Sequence, residues 1–104
     1  MSKEVDMVSH PPHYEGSTSL ECIQAMRLAF GDTGVAYFCL CNAFKYMWRH
    51  KNKNGEEDIN KAIWYKDYVS NMMSTHDMES PRIREMYERI DNLLYEIKSN
   101  TYGV

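Results

Sequence analysis

The stretch VAYFCLCNAFKYMWRH, residues 35–50, limits the possible folds more than any other part of the chain. It holds Phe38, Leu40, Phe44, Tyr46, Met47 and Trp48, with no Gly or Pro inside. At about 100° per residue in a helix, those apolar side chains point in nearly every direction. A helix that is apolar all round is ordinarily buried. Asn42, Lys45 and Arg49 are the exceptions, and at i, i+3 and i+7 they share a wedge of roughly 60°. A buried stripe of amide, ammonium and guanidinium needs partners, because an unpaired buried charge is costly. Either carboxylates of the chain or an anionic ligand meets that need. The expectation here is a ligand, with phosphate foremost.

The rest of the chain reads as helices around this one. At 104 residues, 43% of them hydrophobic, one globular domain is expected. So small a domain buries a modest fraction of its surface, which favours a homo-oligomer. A net charge of −3 argues against a general nucleic-acid binder and its broad basic field. No run approaches the ~18 apolar residues of a membrane span. The start, MSKEVDMVSHPP, lacks the apolar core of a secretory signal. Cys22, Cys39 and Cys41 are an odd set. Cys39 and Cys41 would leave a helix on different sides, so reduced thiols in a cytoplasm are expected.

Residues 1–15 are read as an extended segment that contributes to the site. The two prolines of His10-Pro11-Pro12-His13-Tyr14 stiffen it. Its imidazoles either wall a binding site or stand in solvent. Residues 16–76 form the core helical domain. A first helix is expected over 19–30, from a Thr18-Glu21 capping box to a stop at Gly31. Glu21 then serves as a cap, or contacts a metal or a ribose. Residues 31–34 are read as a turn, with Asp32 or Thr33 capping the central helix. A basic loop over 51–55 follows, then a third helix to about Met73 with Asn54 as its cap. So short a connection makes the second and third helices an antiparallel hairpin. Asp58 and Lys61 then lie near Lys45 and Arg49. Asp58 either pairs with Lys61 on its own helix, holds Lys45 or Arg49 across the hairpin, or binds a metal.

Residues 77–104 carry a C-terminal amphipathic helix, capped by Ser80 with Pro81 in its first turn. Its stripe of Ile83, Met86, Tyr87, Ile90, Leu93, Leu94 and Ile97 either covers the core or forms a subunit seam. The tail from Ser99 should fray. With no strand-period segment, the fold class is all-α, a small bundle of about four helices.

The chain has no GxxxxGK[ST], GxSxG or HExxH. His10, His13, Cys39 and Cys41 have poor zinc spacing, and no metal site is expected. What remains is a set of donors: Asn42, Lys45, Arg49, Lys51, Lys53 and Lys61. Beside them stand Tyr14, Tyr46, Trp48, Trp64 and Tyr65, aromatics able to stack on a base. Lys offers phosphate a point charge and Arg a planar fork. The set suits a single nucleotide better than a polymer.

At these residues the chain resembles a small phage-encoded family of largely unknown function with the pattern HPxHY, GNxxKYxxR, KNG and EDLxKAxWY. The matching stretches are His10-Pro-Pro-His-Tyr14, Glu21-Cys-Ile, Asn42-Ala-Phe-Lys-Tyr46 with Arg49, Lys53-Asn-Gly55, and Glu57-Asp58-Ile-Asn-Lys61-Ala62-Ile-Trp-Tyr65. The resemblance covers about residues 8 to 70. The sequence departs at Cys41, where the pattern has Gly, and at Ile59, where it has Leu. A side chain at 41 narrows close backbone approach there. One group of that family, from a T-odd coliphage, is described as a nucleotide kinase that acts on deoxynucleoside monophosphates without a P-loop.

The resemblance implies a nucleoside monophosphate kinase using ATP and Mg²⁺ in the infected host cytoplasm. Lys45, Arg49 and Asp58 would be its catalytic group. His10, His13, Tyr14, Asn42, Tyr46, Lys53, Lys61 and Tyr65 would bind the ligand. The alternative is a non-catalytic sponge that sequesters a host immune signalling nucleotide. A third reading is a structural or adaptor protein, in which Glu57 and Asp58 neutralise the basic stripe internally.

Overall fold

The computed structural model describes residues 19–75 and 80–102. The 1–15 segment with His10, His13 and Tyr14 lies outside the described residues, as does the Thr18 cap. The described chain forms α1 (Ser19–Arg49), α2 (Glu56–Thr75) and α3 (Pro81–Ile97), then a π-helical turn at Lys98–Tyr102. No strand occurs among the described residues.

The count is three helices rather than the expected four, and Gly31 is the reason. It is the one residue inside α1 with non-helical angles, φ 80° and ψ 170°. Gly reaches that conformation freely, whereas a side chain there is strained. Because a single residue makes the break, 32–34 begin the second arm of α1 and the expected turn does not form. Gly34 fits for a different reason: a Cβ there would stand 2.9 Å from the Cβ of Phe30. Asp32, expected as a cap, instead accepts a hydrogen bond from Arg27 Nε at 2.8 Å and ties the two arms together. That bond holds Arg27 above its ordinary pKa, against the opposing effect of burial. A straight helix of 31 residues would run about 46 Å. The longest dimension of the molecule is 36 Å, so the break lets α1 bend within it.

The molecule is only 18 Å thick in its shortest direction. In this arrangement α2 and α3 pack on one side of α1. Val35, Ala36, Cys39, Leu40, Ala43 and Met47 are buried against α2 and α3, together with Ile59, Ala62, Val69 and Met72 of α2. Phe44 is 45% exposed and Trp48 78% exposed. The expectation of a central helix buried all round is corrected here: Phe44 and Trp48 lie on the side of α1 that α2 and α3 do not cover.

In α3, Ser80 Oγ accepts from the Ile83 N–H at 3.3 Å, and Pro81 opens the first turn. Six of the seven stripe residues pack on the core, while Leu93 is 42% exposed. Lys66 Nζ joins α2 to α3, at 3.1 Å from Asp91 and 2.9 Å from Asp67 of its own helix. Burial alone would lower the Lys66 pKa, but these two carboxylates together raise it. The tail expected to fray continues through Tyr102 as the π-helical turn. No helix among the described residues is long and apolar enough to cross a membrane. All three cysteines are free.

Candidate functional site

The site is built from the connection between α1 and α2. Gly55 adopts φ 58°, a left-handed conformation that costs glycine little, and the chain reverses there. The Gly55 N–H donates to the His50 carbonyl at 2.8 Å, closing the turn. Three residues into α2, Asp58 points back into it. Asp58 Oδ2 accepts from the Asn54 backbone N–H at 3.1 Å and from Arg49 Nε at 3.1 Å. Its other oxygen faces Asn54 Nδ2 at 3.5 Å. The carboxylate is fully buried, whereas the Arg49 side chain is 35% exposed. Burying a carboxylate is costly unless donors surround it, and here the turn and the end of α1 supply them. Of the partners weighed for Asp58, the contact formed is Arg49 across the hairpin.

Arg49 uses only Nε on Asp58. Its two Nη groups meet no acceptor among the described residues. The guanidinium carbon lies 5.3 Å from the centroid of the Tyr46 ring. Lys45 Nζ is 4.6 Å from that centroid and Lys61 Nζ 5.4 Å. One ring thus gathers three cations, from two successive turns of α1 and the second turn of α2. Cation–π attraction contributes about 0.5–1 kcal/mol per contact at exposed sites. It does not neutralise charge. Neither lysine has a carboxylate within 4.0 Å among the described residues. Among the described residues, three positive groups therefore face one buried carboxylate, and two positive charges have no carboxylate partner there.

The ring is held from behind. Tyr65, only 7% exposed, stacks on Tyr46 with ring centroids 6.1 Å apart and planes 11° apart. Phe38 and Trp64 meet Tyr65 edge-on at 6.1 and 5.0 Å. Burial pushes the Tyr46 hydroxyl above the ordinary phenol pKa, with Arg49 opposing the shift and Asp58 adding to it. The phenol is therefore neutral across the physiological range.

Of the residues expected at the site, the structure brings together Lys45, Tyr46, Arg49, Asp58, Lys61 and Tyr65. Tyr65 stands behind the site and supports Tyr46. Asn42 is half-buried, one turn before Tyr46. Lys53 is exposed on the turn and makes no contact with the Tyr46 group among the described residues. Two features escaped the sequence reading. Asn54, expected to cap α2 with its own side chain, instead offers its backbone N–H to Asp58. The Asn-Gly pair and an acid four residues later are the signal that could have shown it. His50, read only as a helix end, is buried beside the turn at 5% exposure.

The turn and the cation cluster lie within residues 8–67, the stretch that matches the sequence profile of DUF3310, a family of proteins of unknown function. The chain belongs to the DUF3310 family. No curated protein and no solved structure matches it. The DUF3310 region holds all of α1 and the first twelve residues of α2. It therefore includes every residue of the Tyr46 group, while α3 lies beyond it.

Proposed function

We propose that this DUF3310 protein is a phage nucleotide-binding protein that acts as a nucleoside monophosphate kinase. The observation that carries the binding is the excess of cations on Tyr46: among the described residues, Lys45, Arg49 and Lys61 stand against Asp58 alone. Phosphate oxygens would match that excess. Arg49 is well prepared for the task, because Asp58 fixes Nε and leaves both Nη groups with no acceptor among the described residues. Phosphoryl transfer depends mostly on positioning and charge neutralisation, so a cationic site without a nucleophile is adequate to it. Kinase activity itself rests on the resemblance of the Asn42–Arg49 and Glu57–Tyr65 stretches to the phage kinase group.

ATP would bring Mg²⁺ on its phosphates. Asp58 is a poor direct ligand for that ion, since it is fully buried and engaged by Arg49 and Asn54. The same fact favours a second reading, in which the protein captures a signalling nucleotide without changing it. The test is incubation of purified protein with each common nucleoside monophosphate, ATP and Mg²⁺, with diphosphates separated by chromatography. Turnover that Lys45→Ala reduces by at least about a hundredfold is the expected result. A bound nucleotide recovered unchanged, with no turnover, moves the function to capture. Neither binding nor turnover with any nucleotide refutes both readings.

A further inference from the structure

On the outer surface of α1 two rows of side chains run side by side. Lys45 and Arg49, four residues apart, form the cationic row. Phe44 and Trp48, also four apart, form an aromatic row about 100° round the helix. These four side chains line an open cavity of about 460 Å³. It is a shallow surface depression, walled almost wholly by apolar atoms. Phe44 lies against Trp48 with ring centroids 6.0 Å apart and planes 31° apart. Trp48 nonetheless stays 78% exposed, so much of the indole surface is open. The Lys45 and Arg49 tips lie against Tyr46, on the side of the cationic row away from Trp48, so a phosphate beside the indole would draw them back across the row.

We propose that Trp48, backed by Phe44, is the platform on which the nucleobase stacks while Lys45 and Arg49 hold the phosphate. This rests on the nucleotide reading of the cation cluster and adds the half of the ligand that the cluster does not reach. Stacking explains why a large indole is left in water on this face. Every base offers a π-face, so such a platform adds affinity while discriminating little among bases. The ligand class is therefore a mononucleotide with an intact base, and the order of preference follows ring size, purines ahead of pyrimidines. A net charge of −3 opposes a nucleic-acid polymer on the same surface. A second copy of the chain would need about 800 Å² of matching surface per partner. The charged row next to Trp48 interrupts such a surface.

The chain has two tryptophans, and Trp64 is packed between Tyr65 and Tyr68. In Trp64→Phe, indole fluorescence reports Trp48 alone. This variant is titrated with AMP, GMP, CMP and dTMP, and with ribose 5-phosphate and pyrophosphate as ligands lacking a base. Wild type and Trp48→Ala are titrated with the same compounds by calorimetry, so the result does not depend on one variant folding. The nucleotides should quench Trp48 and bind roughly tenfold more tightly than ribose 5-phosphate. Trp48→Ala should abolish that advantage and leave pyrophosphate binding within about twofold.

Equal binding of nucleotides and base-free phosphates, unchanged in Trp48→Ala, overturns the platform and leaves the cation reading standing. Failure of every phosphate compound to bind overturns the cation reading as well. A dimer in sedimentation that Trp48→Ala dissociates, with nucleotide affinity unaltered, assigns the surface to a second copy and overturns the proposal. Much tighter binding of a short single-stranded oligonucleotide, lost in Trp48→Ala, assigns it to a polymer and overturns it too.

Discussion

Replacing Asp58 by alanine should cost about 3 kcal/mol of folding stability. The carboxylate is fully buried and takes two hydrogen bonds at 3.1 Å, from Arg49 Nε and the Asn54 N–H. A hydrogen bond to a charged group contributes about 1.5–3 kcal/mol, and breaking a wholly buried ion pair costs about 3–5 kcal/mol. The value here falls toward the lower end because Arg49 is 35% exposed and regains water once its partner is gone. Unfolding entropy of about 2.1 cal/mol/K per residue turns that loss into a fall of roughly 14 °C in Tm for a chain of this length. Asp58→Asn keeps the shape and neutral hydrogen bonds and should lose about half as much. Urea denaturation followed by circular dichroism measures both. Arg49→Ala and the double variant complete a cycle that isolates the coupling between the two side chains. A loss under about 1 kcal/mol for Asp58→Ala would show the pair to be worth no more than a surface ion pair, and the turn would need another anchor.

Lys45→Ala should leave stability within about 0.5 kcal/mol of wild type, because Lys45 is exposed and lacks a carboxylate partner among the described residues. Its pyrophosphate affinity in calorimetry should nevertheless fall, and an intact affinity would remove Lys45 from the site. Gly34→Ala should destabilise by roughly 1–3 kcal/mol, since the new Cβ meets Phe30 Cβ at 2.9 Å and must displace one arm of α1. Neutral or raised stability in a melt would refute that close approach. Burial pushes the Cys39 thiol up to about 12. Only the unfolded chain ionises it above the ordinary thiol value of 9.0, so stability present below pH 9 should decline toward pH 12. Cys39→Ala should flatten that alkaline decline in urea melts at graded pH. In the native protein at pH 8, iodoacetamide should modify exposed Cys41 well before buried Cys39, and equal labelling would contradict the burial.

Much of the local architecture was legible in the sequence because its causes are local. Ser80-Pro81 opens α3 where its capping chemistry says it should, and the stripe from Ile83 to Ile97 turns inward because its period is helical. The short 51–55 connection forces α1 and α2 antiparallel, which is enough to bring Asp58 to Arg49. The gathering of Lys45, Arg49 and Lys61 follows from the same register. The ring that organises them does not, since Tyr46 is set by Tyr65 on the other helix.

The expected four-residue turn at 31–34 was misplaced because glycine permits a turn without specifying its length. The Arg27–Asp32 bond spans the break and ties its two sides together, and the missing Cβ at Gly34 lets Phe30 stand close. Nor does hydrophobicity alone say which side of a helix will be covered. Residues 35–50 are apolar on nearly every side, and only the packing of α2 and α3 against one side of α1 leaves Phe44 and Trp48 in solvent. Helix ends and register depend on neighbours a few residues away and are written in the chain, whereas exposure depends on how much surface the other elements can cover.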